Sequence, residues 1–266
     1  MPESRPLILI TNDDGIDAPG LRNLIAFVRD IGDLVVVAPE KGMSGMSHAI
    51  TVREPLRLRK LREEKGLIEY SCNGTPVDAV KLGEKLVLKK NPNLLLSGIN
   101  HGSNASVNIL YSGTMGAVLE GCMIGLPSIG FSLLDYAYDA DFAPSETWVR
   151  RIVRMVLEKG LPQGVCLNVN IPAVPLEEIK GMKVVRQADG AWEETFEARQ
   201  DPYHQDYFWL SGKFNERKNG SDTDLVVLRE KFISIVPVQY DLTAHAALPK
   251  LKEFNLLLTK KADQNC

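Results

Sequence analysis

The sequence predicts an α/β protein built around a mostly parallel sheet. Short, uninterrupted apolar runs alternate with segments of helical periodicity along the first two thirds of the chain. This alternation is typical of βαβ units, which place strands side by side through right-handed crossovers. Because the apolar runs contain few polar residues, we expect the strands to be covered by helices on both faces.

The N-terminal βαβ unit shows the pattern most clearly. Leu7–Thr11 predicts a buried strand, and Pro19 opens a helix whose apolar residues fall on one face and which Gly32 ends. Asp33–Pro39 predicts a second buried strand that ends in proline.

The next segment predicts a peripheral pair of strands. Ile50–Leu58 alternates like a strand, the charged stretch 57–65 predicts a solvated hairpin tip, and Ile68–Cys72 predicts a further strand. Gly74–Asp78 predicts a capped helix start, since Thr75 is a good N-cap and an acid suits the first turn. A contact to substrate is the alternative role for this turn.

The core elements then continue in the same alternation. In chain order we predict a strand at Asn93–Ser97, a helix at 114–124, a strand at Ser128–Ser132, a helix at Ser145–Lys159 and a strand at Val165–Val169. The polar connection before Ser112 is long for a link between core elements, which favours a functional loop.

The composition of the chain changes beyond residue 175. The predicted elements are strands at Val184–Gln187, Tyr207–Leu210 and Ile233–Pro237, a capped turn at Asp241–His245 and a short helix near Leu251. We therefore expect a single domain of residues 1–266. Residues 1–175 would form the core, and residues 176–266 would form a C-terminal arm with a returning strand and helix.

Composition limits the classes of partner. The formal net charge is −3, which argues against binding of duplex nucleic acid, although a few local groups suffice to hold a mononucleotide. Apolar runs stay well below the roughly 20 residues of a membrane-spanning helix, and the acid-bearing N-terminus differs from a signal peptide. The four cysteines, at 72, 122, 166 and 266, form no CxxC pair, so we expect free thiols and a cytoplasmic protein.

Two acidic residues stand side by side where the first strand ends. Asp13 and Asp14 repel each other unless a cation or a proton lies between them. Mg²⁺ and Mn²⁺ prefer oxygen ligands and keep waters, so two carboxylates with an amide carbonyl and a hydroxyl suffice. The alternative is a solvated turn, because Asn, Asp and Gly are also common turn residues.

A second cluster predicts an anion site. Ser112, Gly113 and Thr114 stand at the start of the predicted helix 114–124, where free N–H groups and the helix dipole suit a phosphate. The alternative is a structural role, with Ser112 as an ordinary N-cap. The chain contains neither a P-loop nor a dinucleotide-binding glycine pattern.

Polar clusters of this kind follow several predicted strands. The carboxyl ends of parallel strands meet at one edge of a sheet, so we expect the clusters to form one pocket. They are Asn12–Gly15, Lys41–Ser47, Ser97–Asn100 with its following loop, and Asn168–Asn170. His48 and His101 lie in these loops without metal-binding spacing.

Seven motifs, taken together in this order, resemble those of the SurE family of survival proteins. They are TNDDG, APEKGMSGMSHAIT, NGTPVDAVKLG, SGINHGSN, YSGTMGAVLEG, NVNIP and DLTAH, and the resemblance runs from Leu7 to Leu248. It implies a Rossmann-like, three-layer core with a C-terminal β-hairpin and helix arm that forms homodimers or homotetramers. It also implies a divalent-metal-dependent phosphatase that hydrolyses nucleoside 5′- and 3′-monophosphates.

The resemblance also implies a set of ligands for one Mg²⁺ or Mn²⁺ per subunit. Matched residue by residue, the metal ligands are Asp13, Asp14, Ser44 and Asn100. The chain departs from many family members at Met43, where an arginine is frequent, and this departure bears on how the phosphate is held.

The predicted mechanism is attack by water on the phosphate. Ser112, Gly113 and Thr114 would donate to phosphoryl oxygens, with Asn12 and Asn104 as further substrate contacts. Asp13 or Asp14 would take the proton of the water.

Two alternatives stay open at the level of the sequence. One is a phospho-acceptor receiver module, which also binds Mg²⁺ through paired acids but needs an aspartate after the third core strand, where this chain has Ser97–Asn100. The other is a nucleotide-binding protein without catalysis. An aspartyl-phosphate intermediate is disfavoured because Gly15 breaks the DxDx[TV] signature.

Overall fold

The computed structural model describes residues 5–217 and 220–254. In these residues the strands are β1 (Leu7–Thr11), β2 (Asp33–Pro39), β3 (Leu58–Glu64), β4 (Leu67–Cys72), β5 (Leu94–His101), β6 (Ser128–Leu133), β7 (Val165–Ile171), β8 (Met182–Val184), β9 (Gly190–Gln200), β10 (Asp206–Glu216) and β11 (Ile233–Gln239). The α-helices are α1 (Pro19–Val28), α2 (Pro76–Leu82), α3 (Gly113–Met123), α4 (Glu146–Lys159), α5 (Asp224–Arg229) and α6 (Leu248–Leu251).

Most of the strands form one mixed sheet in the order β3-β4-β2-β1-β5-β6-β7-β11-β8. The strands from β4 to β7 run parallel, whereas β3 and β11 are antiparallel to β4 and β7. The strand that follows β1 in the chain, β2, lies on one side of the β1–β5 pair, whereas the strand that follows β5, β6, lies on the other side. The crevice between the carboxyl ends of β1 and β5 is therefore the switch point at which open α/β sheets bind ligands.

Helices cover both faces of this sheet. Ile8 and Ile10 of β1 belong to the apolar cluster that contains Leu24 of α1 and Ile152 of α4. Leu9, which lies between them, belongs to the cluster of α2 and α3 on the other face. Successive side chains of a strand point to opposite faces, so a strand covered on both sides must be apolar throughout. The predicted α/β fold is confirmed, as are the bounds of β1 and β2.

The strand β5 is longer than predicted. It extends through Asn100 to His101, beyond the apolar residues, with an irregular register against β6 between Ser97 and Asn100. Gly98 lies at this irregularity with φ of +125°, and a Cβ there would lie 2.4 Å from the carbonyl oxygen of Phe131. Asn100 is therefore the second-last residue of β5 and lies at the carboxyl end of the strand.

The prediction of a strand at Ile50–Leu58 is wrong. Residues 49–57 form no strand, and the edge strand β3 falls within the charged segment that was predicted to be a hairpin tip. All but the first residue of β3 are exposed, so neither face of the strand requires apolar side chains. Charged side chains on an edge strand also discourage pairing with other chains.

The C-terminal part of the chain contains a long hairpin. The strands β9 and β10 pair antiparallel over their whole length and form a sheet of their own, which the prediction of a strand at Tyr207–Leu210 covers only in part. The chain then returns through β11 to the main sheet. The predicted capped turn at Asp241–His245 is confirmed, since Asp241 accepts a hydrogen bond from the Thr243 backbone. The predicted short helix near Leu251 is also confirmed.

Two further expectations concern the thiols and the membrane. Cys72, Cys122 and Cys166 are free and buried, while Cys266 lies outside the described residues. Within residues 5–217 and 220–254 no helix has the length and apolar character needed to cross a bilayer.

Candidate metal and phosphate site

The two adjacent acids lie in a tight turn directly after β1. Asp13 is only 3% exposed and Asp14 is partly buried. The Asn12 side-chain Nδ2 donates to the carbonyl oxygen of Gly15 at 2.8 Å and closes the turn, while its buried Oδ1 has no hydrogen-bond partner among the residues that the structure describes. Asn12, predicted as a substrate contact, thus shapes the turn that presents the two carboxylates.

The carboxylate of Asp13 sits against the N-terminus of α3. Its Oδ1 accepts a hydrogen bond from the Thr114 hydroxyl at 2.5 Å, and the Thr114 backbone N–H also donates to it. A Cβ placed on Gly113 would lie 3.0 Å from Asp13 Oδ2. Ser112 is the N-cap of α3, with its Oγ accepting from the backbone of Met115, so the predicted helix start is confirmed.

Burial destabilises the ionised forms of both acids. Burial, and then repulsion by Asp14, raise the pKa of Asp13 from 3.8 to about 6, in spite of the hydrogen bonds from Thr114. Burial also raises the pKa of Asp14. Without a cation, the contribution of Asp13 to the free energy of unfolding therefore falls as the pH rises from 3.8 to about 6. A bound cation would offset this cost.

Asn100 approaches the same point from the end of β5. Its Nδ2 donates to the carbonyl oxygens of His101 and Gly102 at 3.1 and 2.9 Å, which leaves Oδ1 3.5 Å from the Thr114 hydroxyl. The backbone N–H of His101 donates to Asp14 Oδ2 at 3.2 Å. The amide of Asn100 therefore offers its oxygen, the atom that a hard cation requires.

The loop after β2 lies on the other side of the acidic turn. The backbone N–H of Met43 donates to the carbonyl oxygen of Asp13 at 2.7 Å, and a Cβ on Gly42 would lie 3.7 Å from the carbonyl oxygen of Asp14. Ser44, which directly follows Met43 in the chain, is exposed. The structure thus brings the loop of Ser44 to the acids.

Asn104 lies in a buried amide network. Its Nδ2 donates to Ser132 Oγ at 2.8 Å and its backbone N–H to Asn170 Oδ1 at 2.8 Å, while Asn168 donates to its carbonyl oxygen at 2.9 Å. The predicted cluster Asn168–Asn170 therefore fixes the loop that follows β5. A direct contact of Asn104 with substrate stays a prediction.

An ion-pair cluster that the sequence did not predict fastens the loop of Ser44. Glu120, a buried residue of α3, contacts His48 Nε2 at 3.1 Å and Lys81 Nζ at 2.5 Å. Burial raises the pKa of Glu120, but the hydrogen bonds from Lys81 and His48 outweigh it, so the net pKa is lowered. Because 72 residues separate His48 from Glu120, no local pattern reveals this contact.

A second unpredicted contact ties the loop after β5 to the hairpin. The carboxylate of Asp224 is fully buried and accepts from the backbone N–H groups of Ser106 at 2.8 Å and Ala188 at 2.9 Å. The indole N–H of Trp192, in β9, donates to Asn108 Oδ1 at 2.8 Å. The loop that leads to α3 is thus attached to the base of the hairpin.

The available donors suit a hard cation. Among the described residues there is no group of three or more His, Cys, Asp or Glu side chains with metal-binding geometry. The site instead combines two carboxylates with neutral oxygens, a set typical of Mg²⁺ or Mn²⁺ and unlike the nitrogen and sulfur ligands of zinc.

Comparison with known proteins decides the family. The family model described as "Survival protein SurE" matches residues 8–194. The chain belongs to the SurE family. It is 51% identical over 254 residues to the 5'-nucleotidase SurE of Flavobacterium psychrophilum, covering 95% of this chain and 99% of that protein. The 5'-nucleotidase SurE of Christiangramia forsetii is 50% identical over 258 residues, covering 96% and 99%.

A solved SurE structure has the same fold. The crystal structure of the SurE protein from Aquifex aeolicus superimposes with a TM-score of 0.81 at 36% sequence identity, covering 94% of this chain and all of that one. The resemblance stated from the sequence motifs is confirmed.

Proposed function

We propose that this SurE-family chain is a divalent-metal-dependent phosphatase that hydrolyses nucleoside 5′- and 3′-monophosphates to nucleoside and phosphate. The observation that carries the proposal is the position of Asp13 and Asp14 at the sheet's switch point, with Asp13 against the N-terminus of α3. The relatives named 5'-nucleotidase SurE, about half identical over nearly the whole chain, support nucleotidase activity.

The residues present fit one Mg²⁺ or Mn²⁺ per subunit. Asp13, Asp14, Ser44 and Asn100 would hold it, because they are oxygen donors, burial raises the pKa of both acids, and the amide oxygen of Asn100 receives only a long hydrogen bond of 3.5 Å from Thr114. When bound, such a cation supplies positive charge that attracts the phosphate and makes a water more acidic.

Residues at the N-terminus of α3 would bind the phosphate and position Asp13. The first N–H groups of a helix have no partner within the helix, so that of Gly113 is a donor for a phosphoryl oxygen. The Ser112 hydroxyl accepts from Met115 and still has its proton to donate. The Thr114 hydroxyl makes its shorter hydrogen bond to Asp13, and the Thr114 backbone N–H also donates to Asp13, so this residue positions that carboxylate.

Asp14 is the better placed of the two acids to take a proton from the attacking water. It is more exposed than Asp13, and its Oδ2 receives a weak hydrogen bond of 3.2 Å from His101. A general base must reach the proton that it removes, and Asp13 is already engaged by Thr114. The receiver-module alternative loses support, because Asn100 occupies the strand end where an acceptor aspartate would stand.

The activity is tested by measuring phosphate release from a panel of nucleoside 5′- and 3′-monophosphates. We expect release from both classes, its loss in EDTA and its recovery on addition of Mg²⁺, Mn²⁺ or Co²⁺. Hydrolysis that persists in EDTA would contradict the metal-dependent mechanism. Tight nucleotide binding without any release of phosphate would instead indicate a binding protein.

We further propose that the hairpin joins subunits into a homodimer or homotetramer. Phe196 and Leu210 oppose each other on one face of the hairpin and are 68% and 60% exposed, with Phe208 beside them at 61%. Contiguous exposed apolar side chains of this kind mark protein interfaces.

The buried free thiols support a cytoplasmic location.

The substitution Phe196→Asp is expected to lower the particle mass measured by light scattering, because it places a charge in the apolar face. Lys213→Gln, on the opposite face of the same hairpin, is the matched control and should leave the mass unchanged. A monomeric parent protein, or an oligomer that Phe196→Asp leaves intact, would refute this assignment.

A further inference from the structure

An exposed but anchored tyrosine stands beside the site. Tyr136, in the loop after β6, is 74% exposed. Its ring nevertheless lies directly on Gly102, since a Cβ on that glycine would be 2.1 Å from Tyr136 Cε1. Its hydroxyl oxygen accepts a hydrogen bond from the backbone N–H of Ser103 at 3.3 Å. One part of the ring is therefore fixed, and the rest faces solvent.

The backbone under this ring is the segment that carries the site. Asn100 donates through Nδ2 to the carbonyl oxygen of Gly102 at 2.9 Å, and the N–H of His101 donates to Asp14 at 3.2 Å. The glycine under the ring thus directly follows the residue that contacts Asp14. The ring therefore lies on the same backbone segment that carries Asn100 and that contacts Asp14.

The loop of Tyr136 is held in place at further points. The carbonyl oxygen of Ala137 is 3.0 Å from His101 Nδ1. The His101 ring packs edge-on against Phe142, with 4.9 Å between centroids, and Phe142 is only 2% exposed. Binding to a ring that is already fixed costs little conformational entropy.

We propose that the exposed face of Tyr136 stacks on the base of the bound nucleotide and favours nucleotides over phosphate esters that lack a base. This inference rests on the proposed function and names a specificity-determining residue for it. Stacking on an aromatic ring tolerates any base, because every base has a π-face. Stacking therefore distinguishes a substrate that has a base from one that has none, but it does not distinguish one base from another.

The test compares AMP with ribose 5-phosphate, which has the same phosphate and sugar but no base. For Tyr136→Ala we expect the ratio of the two kcat/KM values, AMP over ribose 5-phosphate, to fall roughly tenfold, mainly through the KM for AMP. Tyr136→Phe keeps the ring and should keep the ratio near that of the parent. Tyr138→Ala, which removes a tyrosine that is 87% exposed in the same loop, is the matched control.

The outcomes separate this inference from the function on which it rests. Equal losses for both substrates in Tyr136→Ala would show that the ring only supports the loop, and would overturn the proposal. An unchanged ratio with unchanged rates would overturn it as well. If the parent protein releases phosphate from neither substrate, the proposed function itself fails.

Discussion

Replacing Asp14 with asparagine is expected to reduce phosphate release from AMP by roughly a thousandfold. The change removes one of two adjacent negative charges and keeps the volume of the side chain. A cation's stabilisation of a phosphoryl transition state is worth several kcal/mol, and each 1.36 kcal/mol corresponds to tenfold in rate. Asp14 also accepts a backbone hydrogen bond from His101, which an asparagine can still accept through its oxygen, so the fold should survive.

Two measurements check this expectation. Turnover of AMP reports on the reaction, and the increase of Tm on addition of Mn²⁺ reports on metal binding independently of turnover. Asp17→Asn, at an exposed acid three residues further along the same turn region, is the control and should retain both. An Asp14→Asn protein with the parent's Mn²⁺ response and AMP turnover would show that the site has been assigned to the wrong residues.

The substitution Gly113→Ala should reduce kcat by about 100-fold while the protein stays folded. The new Cβ would lie 2.9 Å from Asp13 Cβ, closer than Cβ atoms normally approach a neighbour, and 3.0 Å from Asp13 Oδ2, which is a tight contact. Asp13 has a short side chain that Thr114 holds, so the conflict must move the carboxylate or the first turn of α3. A displacement of about 1 Å in an active site typically costs 10²-fold.

Gly42→Ala supplies the matched control for this prediction. Gly42 also borders the acidic turn, but its added Cβ would make only an ordinary contact of 3.7 Å with the carbonyl oxygen of Asp14. We expect near-parental kcat for Gly42→Ala and an unchanged Tm for both variants. Parental kcat in Gly113→Ala would mean that the reaction does not depend on the position of Asp13 against α3.

The sequence predicts the core strands well because both faces of those strands are buried. Ile8, Leu9 and Ile10 must all be apolar, so a single pattern reveals the strand and its bounds. The edge strand β3 and the hairpin strand β9 lack this constraint: nearly every residue of each is exposed, and charged residues occupy both faces. Local sequence therefore cannot distinguish them from loops.

The same reasoning applies to the site. Asp13, Asp14 and the start of α3 are local patterns at element ends, and the structure brings them together as expected. The partners of individual donors depend on contacts between distant segments. Thr114 donates to Asp13, 101 residues away, and Asn104 pairs with Asn170, 66 residues away, and neither spacing follows from propensity or periodicity.

The hairpin β9–β10 lies in the chain between β8 and β11, which both belong to the main sheet. A fragment that stopped at residue 175 would lose β11 and leave the edge of β7 unpaired. Shortening or replacing the hairpin, by contrast, leaves every strand of that sheet in place. The outer part of the hairpin is thus a site for grafting foreign sequence, provided that the graft keeps Trp192, which holds Asn108, and the segments of Ala188 and Asp224, which hold Ser106. Such a graft would also remove the apolar face that is proposed to join subunits.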